Sequence, residues 1–261
     1  MSGKDPEPSV DDAAMSPTER AARVAGELRA ASEKLRSSSR MLGGPSRKAL
    51  TQAEEKCLNA IKIDPNSIIG NLSLASVLLQ TVDHTSGKAR KDILRRAGTS
   101  LARAAELDPN NFSVKSGQRA LALHEAREAP AEKSLELFSQ AVSDLEALVQ
   151  QHPDKQEAHQ MLGAALTRVA ALSSDNERAK RLELAADSFR KAKEVGGKAN
   201  FGEACFYAVA DRKEDAIREL QEASTQGRLP SAERLSSEAA LDSLRNDTRF
   251  QELLKRRSSK E

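Results

Sequence analysis

The hydrophobic pattern of this chain repeats at a fixed interval. Ala53, Ala97, Ala141 and Ala185 stand 44 residues apart. Each opens a set spaced at 0, +4 and +7: Ala53/Cys57/Ala60, Ala97/Leu101/Ala104, Ala141/Leu145/Leu148 and Ala185/Phe189/Ala192. That spacing is one stripe on a helix. Each stripe then meets a stop, at Asp64-Pro65-Asn66, Asp108-Pro109-Asn110, His152-Pro153-Asp154 and Gly196-Gly197. Proline cannot continue the helix and glycine accepts the left-handed cap, so each helix is predicted to end on schedule. Four such endings define a repeat unit, and repeats stack into one continuous array.

A second helix is predicted before each stripe helix. The first of these begins near Ser16-Pro17, which supply an N-cap and a first turn. It carries Val24, Leu28, Ala31 and Leu35 and ends around Gly43-Gly44-Pro45. The stripe helix then spans 46–63. Leu74, Ala75 and Leu78 mark the next helix, which runs to about Val82, and the polar run 83–87 breaks it before the Ala97 helix. The third unit has a helix over 112–127, a break near Ala129-Pro130, and a helix over 131–151. The fourth has Leu162, Gly163 and Leu166, a break at 173–176, and the Ala185 helix. A shorter fifth pair carries Ala204, Tyr207, Ala216, Leu220 and Ala223, turns tightly over 211–214, and ends at Gly227. Residues 1–16, rich in Pro, Asp, Ser and Gly, are expected to form a disordered leader. Residues 17–257 are expected to form the repeat domain, and 258–261 a tail.

These residues resemble the tetratricopeptide repeat family, whose helix pairs of about 34 residues place small residues where the helices touch. The resemblance implies an all-α, right-handed helical-repeat solenoid of about five antiparallel pairs. The family's first-helix positions fall on Leu74/Ala75/Leu78, Leu162/Gly163/Leu166 and Ala204/Tyr207, and those of the second helix on the alanine stripes. Two departures stand out. The first four units are lengthened by about 10 residues relative to the family, and Arg119 takes the third unit's small position, which leaves a register shift toward Ala120 or Gly117, or a diverged repeat. Residues 239–254 resemble the segment that closes many bacterial arrays of the family, with Leu241, Leu244, Phe250, Leu253 and Leu254 covering the apolar face a terminal repeat leaves open.

Composition narrows the function. Lys+Arg 41 against Asp+Glu 39 leaves a net charge of +2, too balanced to imply an electrostatic attachment to nucleic acid or an anionic membrane. Aromatics make up only 3% and tryptophan is absent, so helix contacts rest on Ala, Leu, Ile and Val. No stretch approaches the ~20 apolar residues of a membrane span, and the N-terminus lacks a signal-peptide core, so no membrane association and a cytoplasmic location are expected. Cys57 and Cys205 lie in helical patterns without metal-ligand spacing and are read as small buried residues.

No catalytic or cofactor constellation emerges. His84 and His152 fall in a loop and at a helix end, and His124 and His159 lack ligand-spaced neighbours. Gly87-Lys88 lacks both the earlier glycine and the preceding strand of a phosphate loop. A non-enzymatic chain without cofactor or metal is therefore expected. The basic run Lys88, Arg90, Lys91, Arg95, Arg96 and Arg103 supports an alternative reading as an RNA-associated repeat, although single-strand recognition wants interleaved aromatics that this run lacks.

The resemblance implies that the first helix of each pair lines a concave groove. Its candidate partner-binding residues are Leu28, Arg36, Leu72, Ser76, Ser116, Gln160, Arg168 and Phe201. Co-chaperones of the family grip a terminal carboxylate with inward lysines and asparagines. Leu72/Ser76, Gln160/Ala164 and Phe201/Cys205 supply no cation, which disfavours a heat-shock-protein carboxylate clamp. The expected role is an interaction module that holds a peptide or protein segment. Self-association through exposed terminal faces is compatible with this role, and nucleic acid is disfavoured as a partner.

Overall fold

The computed structural model describes residues 15–198 and 200–259, apart from the side chain of Ala131. Most of the expected leader and the end of the expected tail thus lie outside the described residues. Twelve α-helices and one 3-10 helix follow in order among the described residues: α1 (Pro17–Leu42), α2 (Arg47–Ile63), α3 (Ile68–Val82), α4 (Gly87–Leu107), α5 (Phe112–Glu128), α6 (Ala131–Gln151), α7 (Gln156–Leu172), α8 (Asp175–Glu194), α9 (Phe201–Val209), α10 (Lys213–Thr225), α11 (Ala232–Ser237), the 3-10 helix (Ala239–Leu244) and α12 (Thr248–Ser258). The first ten make five pairs and the rest a C-terminal cap.

The periodic stops form the same turn three times. The amides of Asp64, Asp108 and His152 each donate to the carbonyl four residues back, on Ala60, Ala104 and Leu148. Three residues further on, Ser67, Asn111 and Lys155 donate to Asp64, Asp108 and His152. Proline fits because it follows the last amide the helix needs. The fourth stop uses glycine instead. Gly196, at φ +92, lets Gly197 N–H reach Ala192 O at 2.7 Å, the paired-bond cap that a left-handed residue permits. At the start of α1, Ser16 and Glu19 cap reciprocally: Glu19 N–H donates to Ser16 Oγ at 3.3 Å, and Ser16 N–H to Glu19 Oε2 at 2.9 Å.

Every stripe residue is buried, including the fifth set, Ala216/Leu220/Ala223. The helices gather into two compact units. The first takes the described residues through Ser37 together with Arg47–Gly117. In it α2 packs on α3 and α3 on α4. Val24, Ala60 and Ile63 form a small cluster against which Met15 and Leu28 are half-buried. Gly117 is this unit's close-approach glycine: a Cβ there would lie 2.6 Å from Leu101 Cδ2.

The second unit takes Ser38–Ser46 and the chain from Gln118 onward. Here α6 packs on α7, α7 on α8 and α9, and α9 on α10 and the 3-10 helix. Arg119, at the expected small position, points its guanidinium at Asp144 of α6, 3.4 Å away. An ion pair thus stands where other repeats put a small residue. The cap closes as expected, because Leu241, Leu244 and Phe250 are fully buried with Ala204, Ala216 and Leu220, and Leu253 and Leu254 pack at the edge. The short segment before α2 is tied in by backbone: Leu229 N–H donates to Gly43 O at 2.9 Å, and buried Arg257 donates to Pro230 O and Pro45 O at 3.0 and 2.8 Å.

Candidate functional site

The second unit contains a cleft of about 490 Å³. Successive elements each contribute to its wall: Arg127 from α5, Phe138 from α6, Arg168 and Leu172 from α7, Arg178 from α8, Val209 from α9, Arg234 from α11, and Glu238 and Ala240 at the 3-10 helix. A smaller recess of about 50 Å³ shares Arg127, Phe138, Arg168 and Arg234 and is also lined by Phe201 and Cys205.

Local folding sets these side chains. Helix α7 buries Leu162, Gly163, Leu166, Val169 and Ala170, which leaves Arg168 on its less buried side with Ala164, Ala171 and Leu172. Ser231 Oγ caps α11 by accepting from Arg234 N–H at 3.0 Å. Glu238 caps the 3-10 helix, accepting from Ala240 N–H at 3.2 Å. Arg245 donates to the Glu238 carbonyl at 3.1 Å and fixes the corner.

The Glu238 carboxylate is 1% exposed and pairs with both Arg168 and Arg234. Burial works to raise its pKa, but Arg234, Arg168 and Arg127 together outweigh burial and hold it below its usual range. Arg234 also lies over the Phe201 ring, 5.6 Å from its centroid. Two guanidiniums, of Arg168 and Arg234, therefore meet one carboxylate, and Arg178 donates to the Val209 carbonyl at 2.5 Å, in a wall that mixes apolar side chains with Ser134, Ser237 and Ser243. Such a lining can hold an anionic group beside an aliphatic or aromatic one.

The predicted groove residues are divided between the two units. Leu28, Arg36, Leu72, Ser76 and Ser116 belong to the first unit. There Leu28 packs against Val24, Ala60 and Ile63, Arg36 and Ser76 are exposed, and Leu72 and Ser116 are half-buried. In the second unit Gln160 donates to Lys198 O at 3.2 Å, Arg168 lines the cleft, and Phe201 lines the recess. Arg127, Arg178, Arg234 and Glu238 are functional candidates that the sequence reading missed. The one local signal was the i,i+4 pair Arg234/Glu238 just ahead of the closing segment.

The basic run on α4 is largely engaged by neighbours. Arg95 pairs with Asp92 at 2.6 Å, Arg96 with Glu54 of α2, and Arg103 with Glu106 at 2.7 Å. His159 and His124 make local bonds, to Pro153 O and with Arg127. Among the described residues no three His, Cys, Asp or Glu side chains come together as metal ligands, and no helix is long and apolar enough to cross a membrane.

A family model described as the plant-specific mitochondrial import receptor subunit TOM20 matches residues 107–201, from the end of α4 to the first residue of α9. No curated protein matches the chain. Among solved structures, a thermophilic TPR protein of Thermus thermophilus superposes with a TM-score of 0.52 at 14% identity, over 88% of this chain and 98% of that one. An O-GlcNAc transferase mutant of Thermobaculum terrenum aligns at 22% identity and a TM-score of 0.46, over 68% of this chain and 27% of that one. This chain therefore spans about a quarter of the transferase's length. Five successive helix pairs with buried small-residue stripes, a closing cap and the shared architecture establish that the chain has the all-α fold of the tetratricopeptide repeat proteins.

Proposed function

We propose that the chain is a non-enzymatic interaction module whose second unit holds a segment of a partner protein. The observation that carries this reading is the cleft, because exposed Leu172, set among the buried Phe138, Val209 and Ala240 that line the same wall, offers apolar surface beside arginines that can fix a register. A protein partner also suits the receptor-subunit description of the family model that matches residues 107–201. Catalysis is left out of the reading because the histidines and cysteines are engaged or buried one by one.

The test is capture of partners from a lysate of the native cell on immobilised chain, with two leucine variants compared. Leu172, 45% exposed, lines the cleft, whereas Leu184, 41% exposed, does not. Leu172→Glu is expected to remove specific partners that Leu184→Glu retains, with helicity unchanged in both. An identical set of captured proteins on both variants and on the unaltered chain rejects the reading.

A further inference from the structure

We propose that the first turn of α9 is a proton-operated latch, seated while Glu203 and Glu219 hold one proton between them and released when that proton leaves. Release frees Phe201, which lines the recess, and the latch thereby regulates the hold of the second unit on its partner. The regulatory consequence rests on the reading of that unit as an interaction module; the latch itself does not.

Glu203 of α9 and Glu219 of α10 are both buried, and their carboxyl groups lie within hydrogen-bonding reach of each other. An ionised carboxylate only accepts, so a bond between two of them requires a proton. The remaining charge is met by Lys193 of α8, which approaches Glu203 at 2.6 Å and Glu219 at 4.0 Å. Tyr207 OH donates to Glu203 at 3.1 Å, and Arg212 stands over the Tyr207 ring, 4.7 Å from its centroid. Besides the shared proton, Glu203 thus has two donors within hydrogen-bond distance, whereas Glu219 has one, the Asn200 N–H at 3.0 Å.

That donor belongs to the latch. Asn200 is the N-cap of α9, and its Oδ1 accepts from Glu203 N–H at 3.0 Å. When the shared proton leaves, two enclosed negative charges repel in surroundings that screen them poorly. Glu219 is the side that yields, because Tyr207 and Lys193 hold Glu203. As Glu219 turns toward water, the Asn200 amide loses its acceptor, and the turn that begins at Phe201 loses its anchor. Phe201 lies beneath the Arg234 guanidinium and lines the recess beside Arg168, and both arginines also line the cleft, so its displacement reaches the cleft wall. Burial and the Glu203 charge push the Glu219 carboxyl up to about 7, against Asn200 and Lys193, so the latch is seated below neutral pH and released above it.

The test is amide hydrogen exchange of the full chain, read by mass spectrometry at pH 6 and pH 8 and corrected for the intrinsic pH dependence of exchange. Protection over residues 200–206 is expected to fall about tenfold at pH 8, one unit above the titration, while that of α7 is unchanged. Glu219→Gln, which keeps an acceptor for Asn200 and adds a donor toward Glu203, is expected to stay protected at both pH values. Glu219→Ala, with no acceptor, is expected to exchange fast at both. Equal protection of the unaltered chain at the two pH values overturns the latch, as does an equal fall in Glu219→Gln. A fall of the same size in α7 overturns it too, because the opening is then global. The partner capture above, repeated at both pH values, reads the regulation: partners are expected to be lost at pH 8 from the unaltered chain and kept by Glu219→Gln. Equal capture at both pH values overturns the regulatory role and leaves the module standing. Absence of any specific partner at either pH rejects the module, and the exchange result then decides the latch by itself.

Discussion

Gly163 of α7 faces the ring of Phe189 on α8 so closely that a Cβ at position 163 would lie 2.9 Å from the ring carbons Cε2 and Cζ. Phe189 is the large member of the fourth stripe and is itself 2% exposed. Neither side can retreat, since the ring is enclosed and the glycine lies in the middle of a buried helix face. Gly163→Ala is therefore expected to destabilise the chain by about 1–3 kcal/mol, the usual cost of overpacking, despite the better helix propensity of alanine. Gly26 provides the contrast. Nothing lies within 4 Å of its missing Cβ on α1. Gly26→Ala is expected to be neutral or to stabilise by up to about 1 kcal/mol. Urea unfolding of both variants checks the pair, and equal effects would contradict the packing account.

Glu238 yields a prediction of larger size. Its carboxylate is enclosed with Arg168 and Arg234, and removing it leaves the buried Arg234 and the half-buried Arg168 guanidiniums without their shared partner. Loss of one partner from a buried ion pair costs about 3–5 kcal/mol. Glu238→Ala is expected to approach that figure, because it also deletes the acceptor for Ala240 N–H. Glu238→Gln keeps an acceptor oxygen and is expected to lose less. The order of the two variants in chemical denaturation tests whether charge and cap both contribute.

The repeat was legible in the sequence because it is local. Ala97, Leu101 and Ala104 lie on one helix, and a turn at Asp108-Pro109-Asn110 needs no distant partner to form. The cap was legible for the same reason, with Leu241, Leu244 and Phe250 spaced to face one way. The cleft was not legible. Arg127, Arg168, Arg178 and Arg234 come from four helices at irregular separations, and each taken alone looks like an ordinary charged residue on an amphipathic helix. Only Arg168 was singled out, through the groove the family resemblance implies. Arg119 shows the reverse limit: its position in the repeat fits a small residue, but nothing in sequence says that Asp144 stands opposite to pair with it.

The two cysteines are expected to be inert in the native chain. Both are free and buried. Burial, with Glu54 adding to it, pushes the Cys57 thiol up to about 11, and burial pushes the Cys205 thiol up to about 12. The thiolate is the reactive form, so a colourimetric thiol reagent at pH 8 is expected to titrate almost nothing until denaturant is added, and then both thiols together. Rapid reaction of one thiol in native buffer would place that cysteine at an opening in the helix stack.

A buried pair of glutamates gives the fold a pH dependence of unusual sign. Glu203 of α9 and Glu219 of α10 are 3% and 6% exposed. Lys193 of α8 lies 2.6 Å from Glu203 and 4.0 Å from Glu219. Tyr207 donates to Glu203 at 3.1 Å, and Asn200 N–H donates to Glu219 at 3.0 Å. One ammonium does not neutralise two enclosed carboxylates. Burial and then the Glu203 charge push Glu219 from its ordinary 4.5 up to about 7, against the pull of Asn200 and Lys193. Because the folded state holds this proton more tightly than the unfolded one, the associated stability is fully present below pH 4.5 and is lost as pH rises through about 7. Glu238 has the opposite sign, with its pKa held down, so its contribution is lost only as acid protonates it below the usual carboxylate range. Stability measured by urea denaturation is therefore expected to decline between about pH 5 and 7. Glu219→Gln, which mimics the protonated carboxyl, is expected to flatten that decline and to leave the loss at lower pH in place. A decline of unchanged slope in Glu219→Gln would assign the titration to another group.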